Sequence, residues 1–281
     1  MSESLQEILF LFGSPAAGNP TQYIIEKALA EVGLDWRYLT LEVSPAQLAD
    51  ATRGARAMNF LGGNITMPHK VAVIEHLDEL SQAARLMGAV NCIHNVGGKL
   101  VGENTDGKGF LESLRGVIDP AGKRIVLLGA GGAARAIAVE LALAQVGQLT
   151  IVNRNLIKAE ELAALLRDKT HVSAAAIAWT GDYAIPEDAE VVINATSLGM
   201  FDDTIRVPVK KDSLRQGMIV ADVVFSPPMT KFLSEAKAAG GTVLDGLGML
   251  VNQAVIGFRL WTGKAPNAVM MREALEEYLS M

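Results

Sequence analysis

Cysteine is almost missing from this chain of 281 residues: there is one, Cys92. That excludes an internal disulfide framework and suits a reducing cytoplasm. A lone thiol of this kind reads as a small buried apolar residue. Aromatic side chains make up only 5 % of the chain, and no run of Lys or Arg stands out. With a net charge of −6, neither nucleic acid nor an anionic membrane is an expected partner. The four histidines, His69, His76, His94 and His171, lack metal-ligand spacing, so no metal is expected. Glu3 and Glu7 occupy the place where a secretory leader would carry basic charge. The most apolar stretch, residues 133–146, holds Arg135 and Glu140 and is too short to span a bilayer.

What the chain does have is apolar residues: 50 % are hydrophobic and 20 % charged, enough for two domains of ordinary size. Strand and helix patterns alternate along it, which implies parallel sheets covered by helices. One stretch, residues 126–154, is more specific. An apolar strand at 125–128 runs into Gly129-Ala130-Gly131-Gly132-Ala133-Ala134, which fits G-x-G-x-x-A. Gly129 permits the tight turn, Gly131 lets a pyrophosphate approach the backbone, and Ala134 lets helix pack closely on strand. The helix that follows, 133–145, turns its N-terminal N–H groups to the anion, and a second strand at 149–152 closes a β-α-β unit. An NAD site usually places Asp or Glu after that strand. Here the residues are Asn153-Arg154-Asn155, with Lys158 close behind. A guanidinium pairs with a 2′-phosphate and stacks on adenine, so the expected cofactor is NADP.

Seven motifs, in order and at the right spacing, resemble those of the shikimate dehydrogenase family. They are Asn64-Ile65-Thr66-Met67-Pro68-His69-Lys70, Gly88-Ala89-Val90-Asn91, Asn104-Thr105-Asp106-Gly107, the glycine turn, Asn153-Arg154, Asn194-Ala195-Thr196-Ser197-Leu198-Gly199-Met200, and the run from Asp245-Gly246-Leu247-Gly248-Met249 to Gln253-Ala254. The resemblance implies an N-terminal α/β substrate domain plus a Rossmann NADP-binding domain with a doubly wound parallel sheet. Residues 1–105 and 246–281 would form the first and 106–245 the second, with the active site in the cleft where they meet.

The resemblance also implies roles. Lys70 would be the acid/base and Asp106 its partner on the same hydroxyl: reducing a ketone by hydride develops negative charge on oxygen, so a proton donor must stand beside it. Asn64, Thr66, Asn91 and Gln253 would bind ring hydroxyls, with Asn19 and Phe225 at the carboxylate end. Gly129, Ala130, Gly131, Gly132, Ala133, Asn153, Arg154, Asn155, Lys158, Thr196, Ser197, Val223, Gly246 and Met249 would hold NADP. The implied activity is reversible hydride transfer between NADPH and 3-dehydroshikimate in the shikimate pathway of aromatic amino acid biosynthesis. The alternatives are turnover of quinate, aminoshikimate or another cyclitol, or NADP binding without turnover. A small cyclitol carboxylate would be the ligand, and the chain a cytoplasmic monomer or homodimer.

Two departures concern one end of that ligand. The family's Ser-x-Ser pair after the first strand is absent: the loop reads Ala16-Ala17-Gly18-Asn19-Pro20, with Ser14 and Asn19 remaining. Phe225 stands where the family usually has Tyr and cannot donate. Each lost charged hydrogen bond costs roughly 1.5–3 kcal/mol, so KM for a carboxylate substrate should rise unless Asn19 and Ser226 compensate.

Overall fold

The computed structural model describes residues 5–281. These form two compact units, one running up to Thr105 and resuming at Val251–Met281, the other Asp106–Leu250. In the first, β1 (Ile8–Gly13), α1 (Thr21–Glu31), β2 (Arg37–Glu42), α2 (Leu48–Ala57) and β3 (Gly62–Ile65) precede β4 (Glu79–Leu80), α3 (Gln82–Met87), β5 (Cys92–Val96) and β6 (Lys99–Glu103). The sheet order is β2-β1-β3-β5-β6-β4. β1 lies parallel to β2 and β3, whereas β5 runs antiparallel to β3 and β6. Strand–helix alternation leads one to expect a wholly parallel sheet, and this one is mixed. The reason is the Gly97-Gly98 turn, with φ of 60° and 91°, which joins β5 to β6 as a hairpin and needs no crossover helix. Phe10, Phe12, Phe60, Ile65 and Ile93 fill the core on one face.

The chain then runs through α4 (Thr105–Arg115), β7 (Arg124–Leu128), α5 (Gly132–Leu143), β8 (Gln148–Asn153), α6 (Leu156–Thr170), β9 (Ser173–Ala178), β10 (Val191–Asn194), β11 (Ile219–Asp222), α7 (Lys231–Ala238) and β12 (Thr242–Leu244). It ends with α8 (Gly246–Thr262) and α9 (Ala268–Ser280). The second sheet is parallel throughout, in the order β12-β11-β10-β7-β8-β9. Ile125, Val126, Leu127 and Leu128 are all buried, as expected of a strand covered on both faces. Ala134 and Ala138 of α5 are fully buried too, small enough for the helix to lie close to the sheet. From β7 the chain moves outward through β8 and β9, then returns to β10 on the other side. The crevice beyond the C-terminal ends of β7 and β10 is therefore the switch point, where such sheets bind ligands.

Gly246, Leu247 and Gly248, where the resemblance sets a domain boundary, form the first turn of α8. At Gly246 an added Cβ would stand 2.5 and 2.6 Å from the carbonyl oxygens of Val224 and Val223, so close approach explains the residue. Among the described residues, no helix is long and apolar enough to cross a membrane, and no group of three His, Cys, Asp or Glu could hold a metal ion.

Candidate active site

A cavity of about 470 Å³ opens at the switch point of the second sheet. Gly129, Ala130 and Gly131 line it from the turn after β7, Asn153 and Arg154 from the end of β8, and the 195–198 segment from the end of β10. Gly129 has φ of 114°, and a Cβ there would stand 2.9 Å from the Ala195 carbonyl oxygen, so both backbone and packing require glycine. Gly131 differs. Its φ of −84° suits any residue, and a Cβ would meet nothing of the protein within 4 Å. The space beside it is open, so a ligand can come close to the backbone there. Gly131 is also the N-cap of α5 and provides no side-chain cap, so first-turn N–H groups are left for an anion. This pairing of uncapped amides with a cleared backbone fits a pyrophosphate.

The remaining expected cofactor residues are less uniform. Arg154, Asn155 and Lys158 are exposed. Asn155 caps α6, its Oδ1 accepting the Lys158 N–H at 3.2 Å, and its carbonyl accepts from the Asn153 amide at 2.8 Å. The Thr196 hydroxyl donates to Asn194 Oδ1 at 2.7 Å and accepts the Leu198 N–H at 3.1 Å, so it holds the loop and leaves the exposed Ser197 to face a ligand. Asn194 is anchored in turn: its amide donates to Asp222 at 2.9 Å. Asp222, 1 % exposed, also accepts from the Val224 N–H and the Thr230 hydroxyl, and burial pushes its pKa up to about 6. Gly132, Ala133, Asn155, Lys158, Val223, Gly246 and Met249 do not line the cavity. Trp179 does, and sequence reasoning missed it: it follows β9, and its Nε1–H donates to the Pro208 carbonyl at 2.8 Å, which fixes the ring as a wall. Its place just past the end of a parallel strand is the signal that could have revealed it.

In the first unit the 64–70 loop follows β3. Its backbone is pinned: Thr66 N–H donates to Phe12, Met67 accepts from Ser14, and the Lys70 carbonyl accepts from Val90 at 2.8 Å. His69, fully buried, has Nε2 2.7 Å from the Val43 carbonyl. Lys70 itself is half-buried. The Thr66 hydroxyl has no hydrogen-bond partner among the described residues and is the group here most available to a ligand. Asn64 and Asn91 are more committed. Asn64 accepts from the buried Tyr38 hydroxyl at 2.7 Å and donates to the Asn91 carbonyl. Asn91 Oδ1 accepts the Thr105 N–H at 2.6 Å and its amide donates to Thr105 Oγ1, which lies 3.4 Å from Gln253 Oε1. Thr105 and Tyr38, neither apparent from sequence, thus brace the positions expected to bind hydroxyls. Asn19 Oδ1 accepts the Thr21 N–H at the start of α1, and its amide nitrogen has no partner among the described residues.

Asp106 occupies the first turn of α4, half-buried, in the second unit. The next residue, Gly107, lies where a Cβ would clash with the Ala136 carbonyl of α5, so these two helices meet at that point. Phe225 packs edge-on to Phe201, the ring centroids 6.5 Å apart.

A doubly wound parallel sheet with an uncapped, glycine-cleared helix start at its switch point defines a dinucleotide-binding α/β protein. Family models extend this over most of the chain: "Shikimate dehydrogenase substrate binding domain" matches residues 11–93, "Shikimate / quinate 5-dehydrogenase" 114–226, and "Shikimate 5'-dehydrogenase C-terminal domain" 246–276. The chain belongs to the shikimate dehydrogenase family. It is 42 % identical over 277 residues to the shikimate dehydrogenase (NADP(+)) of Methanopyrus kandleri, covering 97 % of this chain and 96 % of that one. Among solved structures it resembles ligand-free 5-ketofructose reductase of Gluconobacter sp. strain CHM43, with 51 % identity, TM-score 0.96 and coverage of 98 % and 99 %. It also resembles the shikimate 5-dehydrogenase of Thermus thermophilus in complex with NADP(H) and shikimate, with 33 % identity, TM-score 0.84 and coverage of 97 % and 100 %.

Proposed function

We propose that this chain is an NADP-dependent dehydrogenase of the shikimate type, interconverting a secondary alcohol and its ketone on a small polyhydroxylated substrate. The relatives named for shikimate make shikimate and 3-dehydroshikimate the first couple to test. The observation that carries the reading is the pinned 64–70 loop, which holds half-buried Lys70 and the unpartnered hydroxyl of Thr66 in one short segment after β3. Bound NADPH supplies the hydride. The ammonium of Lys70 gives its proton to the carbonyl oxygen on reduction and recovers it on oxidation. Asp106, in the Asn104-Thr105-Asp106-Gly107 motif, takes the family's role of second partner to the same hydroxyl. The α5 N-terminus and Gly131 take the pyrophosphate, and Arg154 the 2′-phosphate.

A second reading keeps this chemistry and changes the substrate to a keto-sugar. The 51 % identity to a 5-ketofructose reductase favours it, as do the missing Ser-x-Ser pair and the Phe225 substitution. The chain acts in the cytoplasm as a monomer or homodimer in either case, which light scattering would distinguish as a mass near 29.9 kDa or twice that. NADPH oxidation with 3-dehydroshikimate and with 5-ketofructose tests the whole proposal. Tight NADPH binding with no oxidation in the presence of either would leave only a cofactor-binding protein.

A further inference from the structure

The C-terminal ends of β1, β2 and β3 lie side by side, and the loop after β1 crosses them. Glu42 is the last residue of β2 and pairs with Gly13, the last of β1. Its carboxylate accepts the Ala16 N–H at 2.7 Å and interacts with the Ser14 hydroxyl. These two contacts hold the Glu42 carboxyl below its usual range, so it is an anion at neutral pH. The Ser14 N–H is already bonded to the Met67 carbonyl, and Pro15 and Pro20 have none. The loop's two side-chain donors are Ser14 and Asn19. Of these, Ser14 serves the chain's own carboxylate, and Asn19 offers a neutral amide. Across from them the Thr66 methyl packs against Gly13, which places its unpartnered hydroxyl at the same end of the sheet.

We propose that this end of the substrate site is built for an uncharged, hydroxyl-bearing group, and that Glu42 is a specificity-determining residue that disfavours carboxylate substrates. This rests on the dehydrogenase reading above and narrows its substrate class to neutral polyhydroxy ketones. An incoming carboxylate would find the Ala16 N–H taken by Glu42 and a like charge beside the Ser14 hydroxyl. A sugar hydroxyl can donate to Glu42 and accept from Asn19 or Thr66. Placing like charges together is a recurrent way to reject a wrong partner.

The test compares kcat/KM for shikimate, its uncharged methyl ester and, in the reducing direction, 3-dehydroshikimate against 5-ketofructose. Wild type, Glu42→Gln and Glu42→Asp are used. The expected result is that wild type favours the uncharged member of each pair by about tenfold or more, that Glu42→Gln narrows the gap through KM, and that Glu42→Asp keeps it. Equal or better turnover of the charged member by wild type overturns the proposal while leaving the dehydrogenase reading intact. A wild-type preference that Glu42→Gln, folded by circular dichroism, leaves unchanged removes the role of Glu42. No hydride transfer between the cofactor and any of the four compounds, from the two alcohols to NADP+ or from NADPH to the two ketones, with NADPH still bound, ends both proposals together.

Discussion

Gly131→Ala separates cofactor binding from folding. At this position φ is −84°, and the added methyl meets nothing of the protein within 4 Å. Two small effects on stability oppose each other. Alanine is a poorer N-cap than glycine by about 0.5–1 kcal/mol, while losing a glycine from the unfolded chain stabilises by about 0.4–1 kcal/mol. The net is near zero, so Tm should move by no more than about 3 °C. Binding is another matter. The methyl occupies the space through which a pyrophosphate approaches the α5 amides, and each charge-assisted hydrogen bond is worth about 1.5–3 kcal/mol. Weakening two of them raises the Kd for NADPH about 100-fold or more. Fluorescence titration with NADPH, alongside a thermal melt, measures both quantities. Gly129→Ala is the contrast: with φ of 114° and the Ala195 carbonyl 2.9 Å from the new Cβ, it should destabilise the fold itself. Wild-type affinity for NADPH in a folded Gly131→Ala protein would refute the assignment of this turn to the cofactor.

Lys70→Ala should lower kcat by about 10²–10⁴ with little change in NADPH affinity; stopped-flow reduction and cofactor titration read the two separately. Arg154→Ala should weaken NADP about tenfold or more and NAD little, as loss of a charged hydrogen bond to a 2′-phosphate predicts; equal weakening of both would discard that role. Asp222 has its pKa raised from 3.8 to about 6 by burial. A raised acid contributes stability below its unfolded value that is withdrawn as pH climbs through the folded one, here about 3 kcal/mol in all. Urea unfolding at several pH values between 4 and 7.5 should therefore show wild type losing stability relative to Asp222→Asn as pH rises, and parallel curves would contradict this.

The second sheet was the more legible in sequence because several levels of information agree there. Apolar strands, a glycine turn and an Ala-rich helix follow one another within 30 residues or so, and each is readable locally. The hairpin of β5 and β6 hides in the alternation because nothing in its strands distinguishes an antiparallel neighbour from a parallel one; only Gly97-Gly98 betrays it. The polar side chains were harder. Asn64 and Asn91 look like ligand donors from their motifs, but their internal partners, Tyr38 and Thr105, lie 26 and 14 residues away in the chain. Glu42 is an ordinary strand-end glutamate until the register of β1 and β2 sets it beside Ala16. Trp179 becomes a cavity wall only through Pro208, 29 residues on. Such pairings depend on tertiary placement and leave no local trace.

The central claim is hydride transfer from NADPH to a substrate carbonyl, protonated by Lys70. Reduction with NADPH deuterated at the transferring position of C4, followed by mass spectrometry of the alcohol, tests it most directly. The account predicts one deuterium on the carbinol carbon with wild type, formed far more slowly with Lys70→Ala. Product without deuterium, or equal rates from the two proteins, would contradict it.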